Sequence, residues 1–134
     1  MTVTWNGAAI LAAVRAATAT SLVRGTESVR EEATSLMLNS PRSGRTYRRR
    51  GVEHKASGPG EAPAPDTGNL IANVQTSVDA SALTGAVNFG TEYAPYLEYG
   101  TIKMAPRPFA RPALINKQAA ISEDIARTIA EALK

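Results

Sequence analysis

The sequence predicts an α+β fold from three observations: a long opening stretch with apolar residues at helical spacing, two short alternating segments mid-chain, and a closing stretch with a second helical stripe. At 134 residues there is room for one such domain, spanning 1–134, with a long basic loop or arm at about 40–66. The opening helix starts after Asn6, a good N-cap, with Trp5 and Ile10 at the two positions where a hydrophobic staple closes the first turn. From Ala8 to Leu38, residues Leu22, Val29, Ala33, Leu36 and Met37 recur at helical spacing. Gly25, which costs about 1 kcal/mol against Ala inside a helix, leaves open one long helix or two with a joint there. Asn39 and Pro41 end the run, because proline disfavours helical geometry in the residue before it.

From Pro41 to Gly68 the chain is rich in Gly, Pro, Ser and Arg and has almost no apolar periodicity, so it contributes little to a core. It is read as a loop carrying a short hairpin around Thr46 to Ala56. Loops beyond roughly 12 to 15 residues are usually functional or disordered, and this one exceeds that length. Asp66, Thr67 and Gly68 offer a cap for a short helix over Asn69 to Val74, which leads into a strand from Gln75 to Val78. Ala80 to Thr84 turns the chain into a second strand, Gly85 to Phe89. The alternation of Val74, Thr76 and Val78 with Ala86, Val87 and Phe89 predicts a small antiparallel sheet. Tyr93 to Tyr99 reads as a short helix, started near Pro95 and ended by Gly100. Arg107 to Pro112 is extended or a first turn, and from Pro112 a C-terminal helix carries Leu114, Ile121, Ile125 and Ile129 on one stripe.

The composition removes most catalytic chemistry. With no Cys there is no disulfide, thiolate metal site or Cys nucleophile, and His54 alone leaves no partner for a two-His metal site. Gly58-Pro59-Gly60 resembles a phosphate loop in composition only, since neither GxxxxGK[ST] nor GxGxxG is present. Glu92 and Glu98 have no spacing that places them across a substrate. Glu92 reads as a helix N-terminal charge and Glu98 as a partner for Arg107 or Lys103. The sequence therefore offers no catalytic residue, no cofactor and no metal site, and the expectation is a protein that is not an enzyme. No apolar run approaches the roughly 20 residues of a bilayer helix, and no basic n-region precedes the opening apolar stretch, so the chain is expected to be soluble without a targeting segment.

Aromatic residues make up only 5% of the chain, so its core must be assembled largely from Ala, Leu, Ile and Val. Such a core is thin, and burial against partner subunits would supplement it. The net charge of +3 is modest but unevenly placed. Arg42, Arg45, Arg48, Arg49, Arg50 and Lys55 stand with one acid, Glu53, giving +5 in that stretch and −2 elsewhere. Guanidinium groups on a flexible loop follow a phosphate backbone without reading bases, so these six cations are candidates for a DNA-channel or inter-ring contact. Tyr47 beside them is a candidate base-stacking residue or a packing anchor. Tyr93, Tyr96, Leu97 and Tyr99, with Met104, Arg107, Phe109 and Arg111 after them, hold more apolar and aromatic surface than a two-turn helix buries by itself. They are the candidate subunit interface.

A series of short motifs carries a resemblance. Ser43-Gly44-Arg45-Thr46-Tyr47 is followed by Ala56-Ser57-Gly58-Pro59-Gly60-Glu61-Ala62-Pro63 and Asp66-Thr67-Gly68-Asn69-Leu70. Then come Tyr93-Ala94-Pro95-Tyr96-Leu97-Glu98-Tyr99-Gly100-Thr101, Lys103-Met104-Ala105-Pro106-Arg107-Pro108-Phe109 and Arg111-Pro112-Ala113-Leu114. In this order and spacing, over about Ser43 to Leu114, the chain resembles the HK97 gp10-like family of tailed-bacteriophage proteins. The resemblance implies a virion protein of the head-tail connector in a phage, prophage or gene transfer agent. Such a neck or tail-completion protein forms a homo-oligomeric ring, a hexamer, through which double-stranded DNA passes. It also implies neighbours on both sides, head-closure or adaptor proteins and tail-terminator or tail proteins. Its location would be the virion, with the host cytoplasm during assembly and no membrane. Two other readings of the same residues are a small DNA-binding regulator and an assembly chaperone that leaves before maturation.

Overall fold

The computed structural model describes residues 2–65 and 68–134. The elements run α1 (Gly7–Leu38), β1 (Thr46–Arg49), β2 (Val52–Lys55), α2 (Asn69–Ala72), β3 (Val74–Asp79), β4 (Thr84–Phe89), α3 (Ala94–Tyr99) and α4 (Ala110–Ala132). This is the α+β arrangement that the sequence predicts: a long first helix, two small antiparallel sheets, a short helix and a closing helix.

Helix α1 is one unbroken rod of 32 residues, so Gly25 is not a joint. It is instead the place where α4 comes closest. A Cβ on Gly25 would lie 3.2 Å from Ile121 Cγ2, and its absence lets the two helices pack with little between them. The pairing is antiparallel: Glu32 meets Asn116 and Lys117, Gly25 meets Ile121, and Ser21 meets Asp124. Asn6 caps α1 by accepting from Ala9 N at 3.4 Å. The expected staple does not bury its members, since Trp5 is 80% exposed, with its indole beside Gly7, and Ile10 is exposed as well.

Helix α4 begins at Ala110, two residues before the predicted start, because Pro112 fits within a first turn, where a missing N–H leaves no ladder bond unmade. Its buried face is also turned from the predicted stripe. Ala113 is fully buried and Ile121, Ile125 and Ile129 are half-buried, while Leu114 is 53% exposed. Helix α2 is shorter than predicted and ends at Ala72, so that Val74 is already the first residue of β3. The Asp66 and Thr67 cap lies outside the described residues, and Gly68 stands at the N-cap of α2.

Strands β3 and β4 pair in register Val74↔Phe89, Thr76↔Val87 and Val78↔Gly85, which puts Val74, Val78, Val87 and Phe89 on one face. That face lies on α1. Two apolar clusters result. Val29 and Ala33 of α1 meet Ala113 of α4, with Val87, Phe89 and Ile121 around them. Met37, Leu70, Ala94 and Phe109 form the second, with Leu97 and Ala62 packed against it. Phe89 touches both clusters and meets Phe109 edge to face at 4.8 Å between ring centroids. The core is as thin as the composition requires.

Candidate functional site

The basic loop is a built hairpin. Strands β1 and β2 pair in register Tyr47↔His54 and Arg49↔Val52, leaving Arg50 and Gly51 as a two-residue connection. Both take positive φ, +52° and +78°, as a primed hairpin turn requires, and Gly51 does so without a steric penalty. Because side chains alternate along a strand, the run Arg48-Arg49-Arg50 does not form one cationic face. Arg48 shares a face with Glu53 and Lys55, whereas Arg49 shares the opposite face with Tyr47 and His54. Tyr47 stacks on His54 at 5.6 Å between ring centroids, so its ring is used within the hairpin, as a packing anchor. Arg42, Arg45, Arg48, Arg49, Arg50 and Lys55 are all exposed.

The base of this hairpin is clasped by residues outside the run of cations. Gly44 N donates to Ala56 O at 2.9 Å, and Ala56 N to Arg45 O at 3.0 Å. Glu61 accepts from Gly58 N at 2.8 Å, from Ser43 N at 3.1 Å and from the Ser43 hydroxyl. These donors, the Gly58 amide foremost, hold the Glu61 carboxyl below its ordinary range. Gly44 leaves no room for a side chain, since a Cβ there would run into the Ser57 carbonyl. Gly60 N donates to Pro106 O at 3.0 Å and ties the clasp to the segment that leads into α4. The motifs around Ser43 and Glu61 thus fix where the hairpin leaves the body.

The second candidate surface splits into an inner and an outer part. Phe109 is 1% exposed within the chain's own core, which corrects its place in the candidate subunit interface. Leu97 is half-buried against the same cluster, and Arg107 is half-buried with its N–H donating to Leu97 O at 2.7 Å. Met104 is half-buried and bridges back to Thr101. Tyr93, Tyr96 and Tyr99 remain outside, Tyr99 at 78% exposure, as does the Arg111 side chain. Ile102, which no pattern in the sequence marks, is fully exposed at the turn after α3. Its exposure follows from Gly100, whose φ of +76° folds the chain back so tightly that a Cβ would lie 2.9 Å from Met104 O and Pro106 N.

Glu98 has a different partner from the predicted Arg107 or Lys103. Its carboxylate accepts from Phe109 N, Ala110 N and Arg111 N at 2.8, 3.0 and 2.9 Å and so caps α4 from a separate helix. Ser21 and Arg24 reach Asp124 across the α1–α4 seam, and Arg127 joins them from within α4; the Ser21 hydroxyl, then Arg24, lowers its pKa to about 2. A cleft of about 330 Å³, lined by Met37, Arg49, Pro63, Leu70, Tyr93 and Leu97 among others, joins the inner face of the basic hairpin to the tyrosine ridge. Among the described residues there is no group of three or more His, Cys, Asp or Glu placed to hold a metal, and no helix long and apolar enough to cross a membrane. No family model, curated protein or solved structure matches the chain.

Proposed function

We propose that this chain is a structural, non-enzymatic protein of the head-to-tail junction of a tailed phage, prophage or gene transfer agent. In this reading it is a neck or tail-completion component that closes into a hexameric ring around passing DNA, between head-closure and tail-terminator proteins. One arrangement carries it: a clasped hairpin carrying exposed Arg48, Arg49, Arg50 and Lys55, with exposed Arg42 and Arg45 before its first strand, adjoins a ridge of exposed Tyr93, Tyr96, Tyr99 and Ile102 on a two-helix frame. Display from a hydrogen-bonded base suits a part whose role is geometric. Cations spread over both faces and the turn of a hairpin suit sequence-independent contact with a phosphate backbone or with an acidic neighbouring ring. Exposed tyrosines suit the centre of a subunit contact.

Electron microscopy of purified particles, with the chain tagged, tests the proposal. Density at the neck is the expected result, and recovery of the chain only from host cytosol overturns it. The exposure of all six cations also favours a second reading, a small DNA-binding regulator. That reading requires steeply salt-dependent duplex binding by the isolated chain, lost when Arg48, Arg49 and Arg50 are neutralised.

A further inference from the structure

Among the described residues, two apolar surfaces are left partly uncovered by the chain's own packing. The first is the N-terminal end of α1 with the segment before it. From Thr2 to Val14 no side chain carries a charge, and Val3, Trp5, Ile10 and Leu11 are exposed. The antiparallel register of Ser21 with Asp124 and Gly25 with Ile121 places the end of α4 at Ala132 opposite the second or third turn of α1. The first turns of α1 therefore project past the end of α4.

The second surface is a groove of about 450 Å³ between α1, the β3–β4 sheet and α4. Leu22, Val29, Val87, Phe89, Leu114 and Ile121 line it. Its one carboxylate, Glu98, is already committed to three α4 amides, which leaves Arg111 as the charged group facing an occupant. The basic hairpin is a poor occupant, because its cations would lose water against aliphatic walls. An uncharged segment with one large ring and aliphatic neighbours suits the groove, whose volume lies within the roughly 300–1,000 Å³ of clefts that enclose a small organic ligand.

The arm cannot fill its own groove. Trp5 and Leu22 are separated by seventeen positions, about 26 Å along the axis of an unbroken helix. Trp5 lies only two residues outside that helix, a reach of about 7 Å, and would also have to reverse direction. We infer that residues 2–11 of one copy, led by Trp5, dock into the Leu22–Val87–Leu114 groove of a second copy. Two different patches meet in such a contact, so it repeats head to tail and closes into a ring or extends as a filament. The inference rests on the proposed ring only in requiring a contact of that kind.

Trp5 is the only tryptophan and therefore reports on its own docking. The full chain should self-associate in sedimentation experiments, with Trp5 emission shifting to the blue as it does. Trp5→Ala removes the arm's anchor, and Leu114→Glu puts a charge at the half-exposed wall of the groove. Each variant alone should associate at least about 30-fold more weakly, the factor that corresponds to a hot-spot loss of about 2 kcal/mol. Mixed together, they should form a one-to-one dimer, since W5A retains a groove and L114E retains an arm. Should L114E lose its helical circular dichroism, Leu22→Ala at the same groove replaces it. Oligomers in which Trp5 emission stays unshifted, or W5A assembling like the parent chain, would overturn the arm contact and leave the ring proposal standing. A parent chain that stays monomeric at every concentration would also overturn it. Location at the neck remains the separate test of the ring. If W5A, whose groove is intact, binds a different purified connector protein instead of L114E, the groove belongs to that neighbour and the inference fails.

Discussion

The two β-hairpins of this chain have the same topology and are held by different forces. In β3–β4, Val74, Val78, Val87 and Phe89 lie on α1, and Phe89 touches both apolar clusters. Its turn is fixed by Asp79, which accepts from Ser81 N and Ala82 N, and by Arg15, which donates to Ser81 O at 2.7 Å. In β1–β2 the strands contact mainly each other, and anchorage comes from backbone bonds at Gly44 and Ala56 and from the carboxylate of Glu61. An isolated two-stranded hairpin is marginally stable in water. The comparison teaches that a hairpin buried on a helix belongs to the fold, while one clasped only at its root can be displayed by the fold and altered without unfolding it.

The largest effect should come from breaking the packed side. Phe109→Ala empties a fully buried ring site beside Phe89 and should destabilise the chain by about 3–5 kcal/mol, measured by denaturant unfolding. Unfolding near the parent midpoint would mean that Phe109 is not a core residue. Next in size is Glu98→Gln, which weakens the cap shared by three α4 amides. It should lower stability by about 1–2 kcal/mol, with amide exchange accelerating first at 109–111, and uniform acceleration along α4 would contradict the cap.

The clasp predicts a smaller, local response to acid. The folded state holds the Glu61 carboxyl below its ordinary pKa, so its stabilisation is complete above that ordinary value and is lost as pH falls through the depressed one. Protection of the Gly44 and Ala56 amides, relative to their intrinsic exchange rates at each pH, should fall in that acid window, and Glu61→Gln should leave those amides poorly protected at neutral pH and remove the pH response. Asp124, at about 2, and Asp79, also lowered, titrate in the acid range as well, but their effects fall on the α1–α4 seam and the β3–β4 turn. Smallest of all is the neutralisation of Arg48, Arg49 and Arg50 by Gln, which should leave the melting temperature within about a degree or two, since exposed charges contribute little to stability. A large drop would show that the displayed hairpin is packed after all.

Where neighbouring residues dictate the outcome, the sequence by itself was sufficient. Asn6 and Asn39 bound α1, the alternation from Val74 to Phe89 makes β3–β4, Gly100 ends α3, and the Thr46 to Ala56 stretch forms a hairpin, all through propensities and turn chemistry acting within a few positions. Strand alternation also separates Arg48 from Arg49 locally, once the hairpin register is known. Tertiary structure alone decided the contacts between distant segments. Glu98 caps a helix that starts twelve residues later, Glu61 reaches back to Ser43, Gly25 is an approach point for Ile121, and Phe109 is core although its motif reads as surface. Spacing along a chain fixes which face of an element a residue occupies. Which other element covers that face is decided only when all of them pack together, because burial and hydrogen-bond satisfaction are shared among segments that no short window of sequence contains.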